Sequence, residues 1–117
     1  MSLDIKGFFY DDRQIVSAGG ATEDIPFIRA NEDTPYFVNS VSVKNDTTAA
    51  LLAGLYIVRS GKLIGLDTIT LTIANRHYLF NWTGYLKAPD YLMVRFHSTI
   101  ASDKLFATLN GIPIELK

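Results

Sequence analysis

The chain has 117 residues, no cysteine and a net charge of −1. That length suits a single domain able to bury its own core, and the missing thiols exclude disulfides, thiolate zinc sites and cysteine nucleophiles. The near-neutral balance leaves no global field to draw in nucleic acid or an anionic membrane.

The charges are unevenly spread. Residues 1–46 hold eight acids and four bases, a balance of −4, and residues 47–117 hold four acids and seven bases, a balance of +3. Scatter in a small chain accounts for this split, with head-to-tail contact between copies as the sharper alternative. Met1 to Lys6 carries an early acid and no apolar h-region, so no signal peptide is expected. The longest apolar run, Ala49 to Val58, is interrupted by Gly54 and is far shorter than a membrane span.

From the N-terminus, Lys6 to Asp11 reads as a short aromatic edge strand or docking arm closed by Asp11-Asp12. Ser17 to Thr22 is a loop on composition, with two glycines free to take positive φ. Ile25 to Ala30 follows as a strand that Pro26 confines to an edge or a strand start. After the turn cluster Asn31 to Pro35, Tyr36 to Lys44 predicts a strand with Phe37, Val41 and Val43 on one face and Tyr36, Val38, Ser40 and Ser42 on the other. Leu51 to Arg59 opens ambiguously, but its β-branched and aromatic end favours a strand broken or bulged at Gly54. Ser60-Gly61 predicts a two-residue hairpin into Lys62.

Thr68 to Ile73 alternates threonine with large aliphatics. Side chains along a strand alternate between faces, so Ile69, Leu71 and Ile73 are expected in the core and the threonines outside. His77 to Trp82 predicts another strand, ended by Thr83-Gly84. Tyr91 to Ile100 is expected to bury Leu92, Val94, Phe96 and Ile100 and to present Tyr91, Met93, Arg95, His97 and Thr99. Asn110-Gly111 is the strongest hairpin signal, between Lys104 to Leu109 and Ile112 to Leu116. Eight or nine short strands with turns about every ten residues predict an all-β, antiparallel β-sandwich of jelly-roll or Greek-key type. We take residues 1–117 as one sandwich domain, with 1–24 as an arm or edge segment.

No catalytic, metal or phosphate motif appears, so no enzyme activity, cofactor or metal is expected. His77 and His97 are the only histidines, and they read as surface or rim residues. Asp11, Asp12 and Asp33 read as solvated turn acids rather than oxygen ligands. Two surfaces remain as candidates. The first is a protein–protein interface formed by Phe8, Phe9 and Tyr10 or by Tyr91, Met93, Arg95 and His97, residue types that such contacts enrich. The second is a stacking platform of Tyr78, Trp82 and Tyr85 for a sugar ring or an unpaired base; if Tyr78, Phe80 and Trp82 point inward instead, they are core.

In strand-and-turn texture, with its Ser60-Gly61 and Asn110-Gly111 turns and its Thr68 to Ile73 strand, the chain resembles the small, cysteine-free, all-β proteins that tailed bacteriophages place on their virions. Capsid decoration (cement) proteins and small head or tail components are examples. The resemblance implies a non-enzymatic structural protein of the virion, made in the host cytoplasm. It implies a homo-oligomer that binds other virion proteins and neither nucleic acid nor membrane. The alternative is a carbohydrate- or receptor-binding β-sandwich that uses the aromatic platform.

Overall fold

The computed structural model describes residues 3–5, 9–30, 35–47 and 50–116. They form ten strands: β1 (Leu3–Ile5), β2 (Phe9–Val16), β3 (Thr22–Pro26), β4 (Tyr36–Asn45), β5 (Leu51–Arg59), β6 (Lys62–Leu71), β7 (Tyr78–Leu79), β8 (Gly84–Leu86), β9 (Tyr91–His97) and β10 (Lys104–Leu116). One sheet has six strands, in the order β1-β10-β4-β7 with β2 also on β10 and β8 also on β4; the other has four, in the order β3-β9-β5-β6. β1 and β2 pair with successive stretches of β10, and β7 and β8 with successive stretches of β4. Each couple fills one strand position, so the eight positions run 1-8-3-6 in one sheet and 2-7-4-5 in the other. That order, two interleaved Greek keys, is a jelly roll.

The core lies between the sheets. Leu71, Leu92, Val94 and Phe96 are fully buried there, as their alternation predicts, and Ile69 packs half-buried against them. Ile73 and Ile100 are 52% and 56% exposed, outside the expected core. β6 stops at Leu71 and β9 at His97, and positive φ at Asn75 and Ser98 turns the chain away soon after each. The Ser60-Gly61 hairpin forms as expected, with φ of 51° and 76° at its two central residues, the sign a type I′ turn requires.

Asn110-Gly111 does not turn. β10 runs unbroken through it, and the pairing with β4 slips at this point, from Asn110↔Ser40 to Gly111↔Val38, leaving Asn39 as a bulge. Gly111 serves for space: a Cβ there would stand 2.7 Å from the Phe9 ring, which lies across it and meets Tyr36 edge-on with centroids 5.3 Å apart. The Asn39 bulge also corrects the two faces expected of β4. Tyr36 and Val38 point inward before it and Val41 and Val43 after it, so the buried set changes parity along one strand. Gly111→Ala should therefore cost about 1–3 kcal/mol by overpacking. Pairing it with Phe9→Leu should recover part of that loss in a double-mutant cycle read by urea unfolding.

Four further boundaries differ from the sequence reading. β2 continues past Asp11-Asp12 to Val16, because both acids find partners within the fold. Asp11 accepts the Ile28 N–H (2.8 Å) and holds Arg13, and Asp12 accepts the Thr108 hydroxyl (2.7 Å). β3 ends at Pro26, whose missing N–H suits the edge it occupies. The slip in β5 falls between Leu55 and Tyr56, where Leu66 of β6 is the extra residue, and not at Gly54. Gly54 instead seats the Tyr56 ring, whose Cε2 would lie 2.8 Å from a Cβ. The expected His77 to Trp82 strand shrinks to β7, with Trp82 beyond it.

At one end of the sandwich a buried carboxylate ties three loops together. Asp103 accepts Asn45 Nδ2 (3.0 Å) and the Thr47 N–H (3.0 Å), and its own carbonyl accepts the Ser17 N–H (2.8 Å). Neighbouring Asp46 accepts the Lys104 N–H (2.9 Å), pinning the start of β10. Here polar side chains complete the hydrogen bonding of a buried loop junction where the ladders end.

Candidate interaction surfaces

The outer face of the four-stranded sheet carries the β9 residues expected to form an interface. Met93 is buried at 6%, while Tyr91, Arg95 and His97 are half-buried. Arg29 lies over the Tyr91 ring, 4.5 Å from its centroid. Arg95 forks onto Asp24 through Nε (2.8 Å) and Nη2 (3.0 Å), and that hydrogen bond raises its pKa. The Tyr56 ring packs against Gly54, with Arg95 6.0 Å from its centroid. The sequence thus brings these four residues onto one face, and the fold has already supplied partners for two of them, Arg29 for Tyr91 and Asp24 for Arg95, and buried a third, Met93.

The aromatic segment near the N-terminus divides. Phe8 lies outside the described residues. Phe9 turns inward over Gly111, and Tyr10 turns outward at 66% exposure. Tyr36 beneath Phe9 donates its hydroxyl to the Ile28 carbonyl (2.7 Å), and burial, with Asp11 nearby, pushes its phenol pKa up.

The aromatic platform divides too. Phe80 is buried, and Tyr78 and Trp82 pack half-buried against the core, the indole lying across Gly84. The Tyr78 hydroxyl accepts the Ile73 N–H (3.0 Å) and sits 3.1 Å from Thr72 Oγ1, whose hydrogen bond lowers its pKa. Tyr85 is half-exposed on β8, opposite Phe37 of β4. The three platform residues therefore do not form one open surface.

Sheet edges offer a different contrast, which no sequence motif announced. β2 borders the six-stranded sheet and is dressed with charge, Arg13 Nε lying 2.6 Å from Asp11 Oδ1. Charges on an edge discourage further strand pairing. β6 borders the other sheet, and from Leu63 to Leu66 it carries no charge. Leu63, opposite Val58, and Ile64, opposite Ile57, are each 40% exposed, one aliphatic on each side of the strand. The pair closing a two-residue turn is hydrogen bonded, and bonded pairs then alternate. Arg59↔Lys62 closes this turn, so Leu63 and Gly65 direct their N–H and C=O groups to an edge that no other described strand pairs with. The run Lys-Leu-Ile-Gly-Leu after a hairpin is the signal that would have found it.

Neither a protein-family model nor a curated protein matches the chain. Among solved structures it is similar to a chain from work reporting that Bacillus endospore appendages form a novel family of disulfide-linked pili. The two are 14% identical over 94% of this chain and 89% of that one, with a TM-score of 0.50. It is also similar to a chain described under CBM4 structure and function, at 7% identity over 95% of each chain and a TM-score of 0.37. At these identities the first likeness concerns the fold, and the second carries no argument. The disulfide linkage of those pili has no counterpart in a chain without cysteine.

Proposed function

We propose that this protein is a non-enzymatic structural subunit that acts through protein–protein contacts, pairing with copies of itself and binding other components of a particle. The observation that carries the proposal is the contrast between two sheet edges: Leu63 to Leu66 of β6 carries no charge and pairs with no further described strand on its outer side, while β2, at the edge of the other sheet, is guarded by charge. Two copies related by a two-fold axis can pair antiparallel there, Leu63 against Gly65 of the other copy, forming about four backbone hydrogen bonds. The two Ile64 side chains then meet at the axis, and two four-stranded sheets become one.

Among particles, what stands of the resemblance in strand-and-turn texture, the Ser60-Gly61 turn and the alternating strand from Thr68 but not a turn at Asn110-Gly111, supports a bacteriophage virion component, a capsid decoration protein or a small head or tail part. The endospore-appendage neighbour supplies a case of a similar fold at work in a filament. Sedimentation velocity tests the pairing. The native protein is expected to form a dimer or larger species as concentration rises, and Ile64→Lys, which sets two cations at the axis, is expected to stay monomeric with unchanged thermal stability. A native protein that remains monomeric to millimolar concentration would refute the pairing.

A further inference from the structure

The outer face of the six-stranded sheet holds a site of another kind. An open cleft of about 260 Å³ is lined by Asp12, Arg13 and Gln14 of β2, Lys44 of β4, Phe106 and Thr108 of β10, and His77. Cross-strand register builds it. Gln14, Phe106 and Lys44 share one row across β2, β10 and β4, and Asp12, Thr108 and Ser42 share the next row on the same face. Its volume is just below the range of about 300–1,000 Å³ typical for drug-sized ligands, the scale of a single sugar ring.

We infer that this cleft binds a neutral oligosaccharide, with one sugar ring over Phe106 and the chain running along β2 and β10 towards Tyr10. Three observations converge on that class of ligand. Phe106 is a half-buried aromatic surrounded by groups that donate and accept hydrogen bonds, which suits a ring with an apolar face and a hydroxylated rim. The charges balance: Lys44, whose Nζ sits 4.7 Å over the Phe106 ring, and Asp12 both line the cleft, and Arg13 is taken up by Asp11. That balance favours a neutral ligand over an acidic one. Tyr10 stands on the same face as Asp12 and Gln14 and is 66% exposed. It lies four residues from Gln14, roughly 13 Å at the rise of a strand, a distance spanned by two to three linked sugars.

Binding moves the Lys44 ammonium off the ring and leaves it free to donate to sugar hydroxyls, while Asp12 and Gln14 accept from them. This cleft is distinct from the Tyr78, Trp82 and Tyr85 platform and lies on the opposite sheet from the β6 edge, so it can be tested without reference to assembly.

The experiment is an NMR titration of the intact, isotope-labelled protein with neutral tetrasaccharides of glucose, xylose, mannose and N-acetylglucosamine, alongside the corresponding monosaccharides and a polygalacturonate fragment. The expected result is saturable shifts at Gln14, Lys44, Phe106 and Thr108 with at least one neutral tetrasaccharide, and at least tenfold weaker binding of its monosaccharide. Tyr10→Ala and Gln14→Ala alter exposed side chains, and each is expected to weaken binding at least fivefold while leaving the unfolding midpoint unchanged. Absence of shifts at 10 mM of every neutral tetrasaccharide overturns the inference. So do shifts confined to Trp82 and Tyr85, or tighter binding of the polygalacturonate fragment.

Discussion

Replacing Phe96 with alanine should lower the unfolding free energy by about 3–5 kcal/mol, the largest single loss expected in this chain. Phe96 is fully buried on β9 at the centre of the four-stranded sheet, with Ala53 of β5 beside it and Glu23 of β3 on its other flank. The small Ala53 side chain cannot fill the space a phenyl ring leaves, and the facing sheet is anchored by its own ladders. The cavity therefore persists, and its cost adds to the lost transfer energy. Thr68→Ala and Thr70→Ala, on exposed positions of β6, should stay within about 0.5 kcal/mol. Urea unfolding reads both: the Phe96 variant should show a much lower midpoint at an unchanged slope. A loss under 1 kcal/mol would mean that β9 is not a core strand.

Asp103→Ala should be almost as damaging, at about 2–5 kcal/mol, although it removes a charge and no hydrophobic surface. The Asp103 residue is 2% exposed, and its carboxylate accepts from Asn45 Nδ2 and the Thr47 N–H. Alanine strips both donors of this acceptor; Asn45 is fully buried, whereas Thr47 is exposed, so the larger share of the loss falls on the Asn45 amide, and an unsatisfied buried group carries a penalty of about 1–3 kcal/mol. Asp103→Asn keeps one side-chain oxygen as an acceptor and should recover part of the loss. Thermal unfolding of the three proteins at one pH tests the ordering native, asparagine, alanine. Equal stability of the alanine and native proteins would contradict it.

Several features of this fold were legible in the residues because one face of each strand must be dry. The alternation in Thr68 to Leu71 and in Tyr91 to Phe96 identifies the core-facing positions, although Met93 on the opposite face of β9 is buried as well, and Ser60-Gly61 specifies its turn because both residues accept positive φ. The absence of a turn at Asn110-Gly111 has an equally physical source. A glycine that supplies a turn and a glycine that admits a ring look alike in sequence, and only the Phe9 ring against Gly111, about a hundred residues away in the chain, distinguishes them. The faces of β4 were missed for a related reason: strict alternation assumes no bulge, and Asn39 is one. The candidate surfaces were less legible still. Periodicity places Tyr91, Met93, Arg95 and His97 on one face, but Arg29 and Asp24, which occupy two of them, arrive from distant segments. Whether an edge is open and which rows form a cleft depend on strand order, and strand order is a property of long-range pairing.

Amide hydrogen exchange at Leu63 and Gly65, followed by NMR across a range of protein concentrations, tests the assembly proposal at the strand itself. Both amides belong to an edge that no other described strand pairs with, so they should exchange rapidly in dilute solution. The pairing predicts that they become protected as concentration rises, while the amide of Ile64, already directed at β5, stays protected throughout. In Ile64→Lys the concentration dependence should vanish. Fast, concentration-independent exchange at Leu63 and Gly65 in the native protein, up to millimolar concentration, would contradict the claim that copies of this chain join through β6.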